Sequence, residues 1–187
     1  MNVYDFDNTI YNGDSSIDFF LYCMSKKKKM FLLFPKIVVY FVGYKLKLIN
    51  KNRFKEVFFS FLKYFDNIDE IVELFWKKNI DKITAWYQTQ HKKTDVIISA
   101  SPDFLLIPLE KKLDISRVIS TKVDKKNGKF ISDNCYGDNK IIFFKNYYGI
   151  DSINDFYTDS LSDLPMLKVA KHGFIVKNKK NIIREII

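Results

Sequence analysis

Histidine and cysteine are nearly missing from this 187-residue chain, two of each, and that scarcity closes several routes to function. Cys23, inside an expected helix, and Cys135, in an expected loop, imply no disulfide framework and point to a reducing, cytoplasmic setting. With no Cys/His cluster, no zinc site is expected. His91 borders a lysine pair and His172 precedes a turn glycine, and neither is assigned an acid–base role. Six glycines and four prolines leave no Gly/Ser-rich or Pro-rich linker, and no internal repeat is found. Long apolar runs are also missing. The most apolar stretch, residues 30–43, contains Pro35 and Lys36 and falls short of the roughly 20 residues a membrane-spanning helix needs. No secretory signal is expected, because the fold begins by residue 3. Acidic residues are the minority, 22 against 31 basic, for a net charge of +9. That excess suits a polyanion, an anionic membrane or an anionic small substrate, and charge alone does not choose among them.

What is abundant is apolar and aromatic: 47% hydrophobic and 17% aromatic residues, a composition that folds. The length suits one α/β body with an insert. Val3-Tyr4 reads as a short strand running into Asp5 and Asp7, whose i, i+2 spacing lets both carboxylates converge where the strand ends. Such a pair either binds a cation or shares a proton. After a turn at Gly13-Asp14-Ser15-Ser16, only helical patterns follow: 17–27, 30–48 with a kink at Pro35, 51–64, and 68–90 in two pieces. A continuous apolar strand at 94–99, a helix at 103–113 and a two-stranded flap at 118–131, signalled by Asn127-Gly128, come next. Helix 140–148, strand 153–158, helix 163–171 and a last strand at 173–176 complete the chain. This alternation predicts an α/β fold with a parallel sheet whose functional groups gather at the strands' carboxyl ends. The expected boundaries are a core of 1–14 and 92–187 and a helical cap of 15–91.

Phosphoryl transfer to a carboxylate needs an in-line nucleophile, a proton donor for the leaving oxygen, cations around the phosphoryl oxygens, and Mg²⁺. Asp5 is the candidate nucleophile and Asp7 the candidate acid and base. A plausible Mg²⁺ shell comprises the Asp5 carboxylate, the Asp7 carbonyl, the Asp159 carboxylate, a phosphate oxygen and water. Asp163, four residues beyond Asp159, either holds a metal-bound water or orients Lys140. Ser99, the amide of Ala100 and the ammonium of Lys140 are the candidate phosphate binders, with Ser101 competing for Ser99's role. Thr9 positions Asp7 or braces the loop, and Asn8 tolerates the left-handed torsions a sharp turn requires.

These residues resemble the haloacid dehalogenase superfamily, in its phosphoserine-phosphatase-like branch. Asp5-Phe6-Asp7-Asn8-Thr9 is similar to the first motif, Val96-Ile97-Ile98-Ser99 to the second, Gly137-Asp138-Asn139-Lys140 to the third and Asp159-Ser160-Leu161-Ser162-Asp163 to the fourth. The resemblance implies a Rossmann-like three-layer core with an inserted all-helical cap of the C1 type. It also implies Mg²⁺ without an organic cofactor and hydrolysis of a small phosphomonoester through an aspartyl phosphate. Asn8 stands where glycine is usual, and Ala100 stands where phosphoserine phosphatases commonly have glycine, which turns expectation away from phosphoserine. The insert reads most simply as the core of a small bundle. Its alternative is a basic-rimmed apolar face over residues 30–41, with Met30, Phe31, Leu32 and Val39 facing an anionic membrane and a lipid phosphate as substrate. Some members of the branch act on phosphatidylglycerophosphate. A non-catalytic RNA-binding module is the third reading, and the complete acid set argues against it, so no nucleic-acid partner is expected.

Overall fold

The computed structural model describes residues 1–177 and 182–186. Six strands form one sheet in the order β3-β2-β1-β4-β5-β6: β1 Val3–Tyr4, β2 Val96–Pro102, β3 Arg117–Thr121, β4 Asp155–Thr158, β5 His172–Lys177 and β6 Ile182–Glu185. All neighbours are parallel except β5 and β6. The two-residue β1 is central, with Val3 in register with both Val96 and Phe156. The chain leaves β1 toward β2 on one side and later returns to β4 on the other. The order therefore reverses beside β1, the place where open α/β sheets form their crevice.

Successive residues of each strand point to opposite faces. Tyr4, Ile97, Val118 and Tyr157 enter one apolar cluster, while Val3, Val96, Ile98 and Phe156 enter another. The second cluster is closed by α8 (Asn139–Lys145) and α9 (Leu164–Val169) through Phe144, Met166 and Leu167. The first is closed by α6 (Asp103–Leu106) and α7 (Pro108–Lys112), and by helices inserted between β1 and β2. Helices on both faces make three layers.

The insert contains α1 Ser15–Lys26, α2 Phe34–Lys45, α3 Lys51–Phe59, α4 Ile68–Asn79 and α5 Ala85–Gln90. Three of them begin on side-chain caps: Asp14, Asn50 and Asn67 accept the amides of Ile17, Arg53 and Glu70. The insert shares its core with the sheet. Trp76 of α4 packs edge-on against Phe6 at 6.0 Å and donates its indole N–H to the Leu105 carbonyl at 2.6 Å. Burying both its rings and its one donor makes Trp76 the bolt between the insert and α6.

Several sequence expectations need correction. The stretch 118–131 is not a separate flap: β3 pairs with β2 as the edge of the parallel sheet, and only Val123 and Phe130 make an antiparallel bridge around the Asn127-Gly128 turn. Gly128 (φ 77°) sits so close to the insert that a Cβ would lie 2.3 Å from the Phe59 carbonyl oxygen. Pro35 does not kink a helix; it occupies the first turn of α2, where its missing N–H costs nothing. Met30, which the alternative reading of the insert put on an exposed face, is fully buried, because a 3₁₀ segment at Lys28–Leu33 turns it inward. The antiparallel β6 was not read from the sequence at all.

Candidate active site

Beyond Tyr4 the chain keeps one more sheet bond, from the Asp5 amide to the Tyr157 carbonyl at 2.8 Å, and then turns sharply. The Phe6 carbonyl accepts the amides of Thr9, Ile10 and Tyr11, while Asn8 takes φ 57° and donates its amide to Gly13. Asn is among the few non-glycine residues that adopt this conformation readily, so the turn survives without a glycine there. The result is that Asp5 and Asp7 both face the crevice at the carboxyl end of the sheet.

Each Asp5 oxygen has a partner. Lys140 at the start of α8 approaches Oδ1 at 2.7 Å, and the Thr9 hydroxyl donates to Oδ2 at a longer 3.3 Å. Thr9 also accepts the Asp159 amide at 2.9 Å, tying the loop after β4 to the loop after β1. The same Lys140 ammonium reaches Asp163 Oδ2 at 2.6 Å, and the Thr158 hydroxyl donates to that oxygen as well. Asp163 Oδ1 is buried and has no hydrogen-bond partner among the described residues. Burial works against the Lys140 charge, but Asp5 and Asp163 outweigh it and hold the ammonium protonated above its ordinary range. Desolvation pushes Asp5 upward, Lys140 opposes this and Asp163 reinforces it. Asp159, at the exposed mouth, is pushed to about 6, first by desolvation and then by the Asp5 charge.

Asp7 is held from the other side. The Ser15 amide, at the N-terminus of α1, donates to Oδ1 at 2.6 Å, and the Ser101 hydroxyl donates to Oδ2 at 2.5 Å. Burial, followed by the charge of Asp14, raises Asp7 to about 7 against those hydrogen bonds. Ser99 accepts the Ser101 amide at 3.1 Å. The competition foreseen between these serines is thus divided in this geometry: Ser101 grips Asp7, and Ser99 sits beneath it at the strand end.

Three carboxylates around one ammonium leave excess negative charge, and a cation would reverse the upward shifts of Asp5 and Asp159. These hard oxygen donors, with an orphaned Asp163 oxygen nearby, fit a magnesium-like ion that keeps several waters. Among the described residues, no three His, Cys, Asp or Glu side chains are grouped to hold a metal by themselves. The candidate set of Asp5, Asp159 and the Asp7 carbonyl contains only two such side chains.

Asp5, Asp7, Ser99, Ala100, Lys140, Asp159 and Asp163 all line one cavity of about 490 Å³, and Thr9 lies buried behind Asp5. Lys51 and Lys55 of α3 line the same cavity, and sequence reading missed both. Their i, i+4 spacing puts them on one helix face, but 31 basic residues hid that signal. Lys55 donates to the Ala100 carbonyl at 2.8 Å and to Asn134 Oδ1 at 3.3 Å. Burial, then the neighbouring Lys51 charge, lowers Lys55 from 10.5 to about 8. The fold therefore disfavours the Lys55 charge fully below pH 8, and this cost fades as pH rises toward 10.5. Compared with Lys55→Met, wild type should gain stability between pH 8 and 10. Urea unfolding of both proteins across that range checks this, and a constant difference would refute it.

Residues 3–168 match the haloacid dehalogenase-like hydrolase family. The chain belongs to that family. No match is found among curated proteins. A protein of unknown function from Bordetella pertussis Tohama I has a similar structure, with a TM-score of 0.77 at 14% identity over 94% of this chain and 89% of that one. A probable phosphoserine phosphatase from Vibrio cholerae gives 0.59 at 13% identity, over 92% of this chain and 55% of that one. A phosphoserine phosphatase described as a phospho-aspartyl intermediate analogue gives 0.52 at 15%, over 96% and 88%. At these identities the likeness of this dehalogenase-like hydrolase to those chains is one of fold.

Proposed function

We propose that this hydrolase cleaves a small phosphomonoester through a phosphorylated Asp5. The observation that carries the reading is the division of Asp5 and Asp7 between two separate hydrogen-bond sets in one cavity. Asp5 Oδ2, the less engaged oxygen, attacks phosphorus while the ester P–O bond breaks and Asp7 gives its proton to the leaving oxygen. Water then attacks the phosphoryl group, Asp7 takes the water's proton, and phosphate departs from a regenerated Asp5. The Ser99 hydroxyl, the Ala100 amide and Lys140 receive the phosphoryl oxygens. The carboxylates of Asp5 and Asp159 and the carbonyl of Asp7 would hold Mg²⁺, which supplies charge neutralisation at those oxygens. The insert, residues 15–91, serves as a cap that keeps bulk water from the acyl phosphate, with the remainder as catalytic core.

Asp7→Asn separates the two half-reactions. An aryl phosphate has a leaving group that needs little help, but the attacking water still needs a base. The variant should release one equivalent of phenolate in a burst, after which turnover runs about 10²–10⁴-fold below wild type. Its intact mass should show one phosphoryl group that hydroxylamine removes, and chelation should suppress the burst until Mg²⁺ is restored. An Asp7→Asn protein with neither burst nor adduct would refute the covalent route.

A further inference from the structure

Between Asp18 and Glu56 there is no acidic residue, while ten basic ones fall in that interval, more than the whole net charge of +9. The same interval carries an apolar face without a covering. Of the twelve residues of α2 only Ile37 is buried. Leu32 is 78% exposed, Val39 65% and Leu48 79%, and exposed large apolar side chains are denser over residues 31–48 than elsewhere among the described residues, where they are scattered, as at Ile131 and Leu161. This face continues into the active-site cavity, because Ile37, Val38 and Phe41 of α2 form part of its wall. Lys36 and Lys45 lie on the same helix, and Lys28 and Lys29 precede it, so cations rim the apolar strip.

We infer that the face formed by residues 28–48 docks on an anionic lipid surface, and that the substrate is a phosphomonoester with an apolar body delivered from that surface. Charge complementarity selects this occupant. A second copy would bring two strongly basic, acid-free faces together, which repel. A nucleic acid would stack on the exposed Phe31, Phe34 and Phe41 but leave the aliphatic Leu32, Val39 and Leu48 uncovered, since base stacking uses aromatic faces. Aliphatic and phenyl side chains ringed by lysines are what an interfacial helix presents, apolar side in the acyl boundary and ammonium groups among anionic headgroups. No helix among the described residues is long and apolar enough to cross a membrane, so the contact lies on the surface. From there the apolar wall leads an acyl or prenyl body inward, toward Asp5, while Lys51 and Lys55 face the anionic end. The docking half stands on the surface alone; the substrate half rests on the phosphatase reading above.

The full chain is incubated with vesicles of phosphatidylglycerol and phosphatidylcholine, or of phosphatidylcholine alone, and sedimented. Binding to the anionic vesicles should exceed binding to the neutral ones by about tenfold or more and weaken as salt screens the lysines. The double variant Leu32→Glu with Val39→Glu, both outside the cavity, should lose about tenfold in vesicle binding and in hydrolysis of vesicle-borne phosphatidic acid. Its turnover of para-nitrophenyl phosphate should remain that of wild type. Failure to bind anionic vesicles at low salt would overturn docking, as would a stable dimer that the two glutamates dissociate, or retention by single-stranded RNA in place of vesicles. Wild type that hydrolyses para-nitrophenyl phosphate but not vesicle-borne phosphatidic acid overturns the substrate half alone. Vesicle binding with turnover of neither compound removes the substrate half together with the phosphatase reading and leaves docking in place.

Discussion

Asp5→Asn is expected to lower turnover of an aryl phosphate by about four orders of magnitude or more, with no loss of stability. An amide oxygen is a poor nucleophile, and the other carboxylates of the cavity are committed elsewhere: Asp7 is turned toward Ser15 and Ser101, Asp14 caps α1 through the Ile17 amide, Asp163 is locked to Lys140 and Thr158, and Asp159 is the proposed metal ligand. Stability should hold because the substitution removes charge from a crowded site. Asp5 and Asp163 compete for one buried ammonium, and neutralising Asp5 leaves the 2.6 Å pair between Lys140 and Asp163 with less like-charge repulsion beside it. The asparagine carbonyl still accepts from Lys140 or Thr9. Functional residues held in mutual repulsion are commonly stabilised when one is neutralised. Urea unfolding without divalent cation, run beside steady-state kinetics, checks both halves. Normal turnover would end the nucleophile assignment, and loss of activity together with a clear loss of stability would mean that Asp5 is mainly structural.

Much of the candidate site's arrangement was legible because its signals are local. An apolar pair followed by Asp-Phe-Asp-Asn-Thr states where a strand stops and which side chains share a face, and the apolar run at 96–98 announces β2, although that strand passes the expected end at Ser99 and runs on to Pro102. The fold class followed from the alternation of such segments. What escaped depends on partners distant in sequence. The Asn127-Gly128 turn is a strong local hairpin signal, yet Val118 pairs with Ile97, and nothing near residue 118 announces a strand twenty residues earlier. Ser101 looks like a spare hydroxyl until the bulge between Ser99 and Pro102 lets it reach Asp7. Lys55 looks like one more surface lysine until α3 lies over the strand end and brings it to the Ala100 carbonyl. Periodicity reports that a helix has an apolar side; it does not report whether that side is covered. Met30, just after four lysines, is buried, while Val39, inside an apolar run, is exposed.

Lys140→Met is expected to be the most damaging single change to stability, about 3–5 kcal/mol, together with loss of turnover. The Lys140 side chain is 2% exposed and its ammonium is the shared counter-charge of two carboxylates, so a thioether of similar length fills the space but leaves Asp5 and Asp163 without that counter-charge. The cost would come from the charges left behind, not from lost packing, and this distinction is testable. Adding Asp163→Asn to Lys140→Met removes one of the stranded charges and should recover a large part of the lost stability, with a coupling of about 1–3 kcal/mol in the double-mutant cycle. Turnover should not return, because on the proposed mechanism the double variant still lacks the cation that faces the phosphoryl oxygens. Unfolding curves for the wild type, both single variants and the double variant decide the matter. Additive losses would show Lys140 to be held by shape rather than charge, and a Lys140→Met protein as stable as wild type would show that the ion pairs in this crevice contribute nothing to the fold.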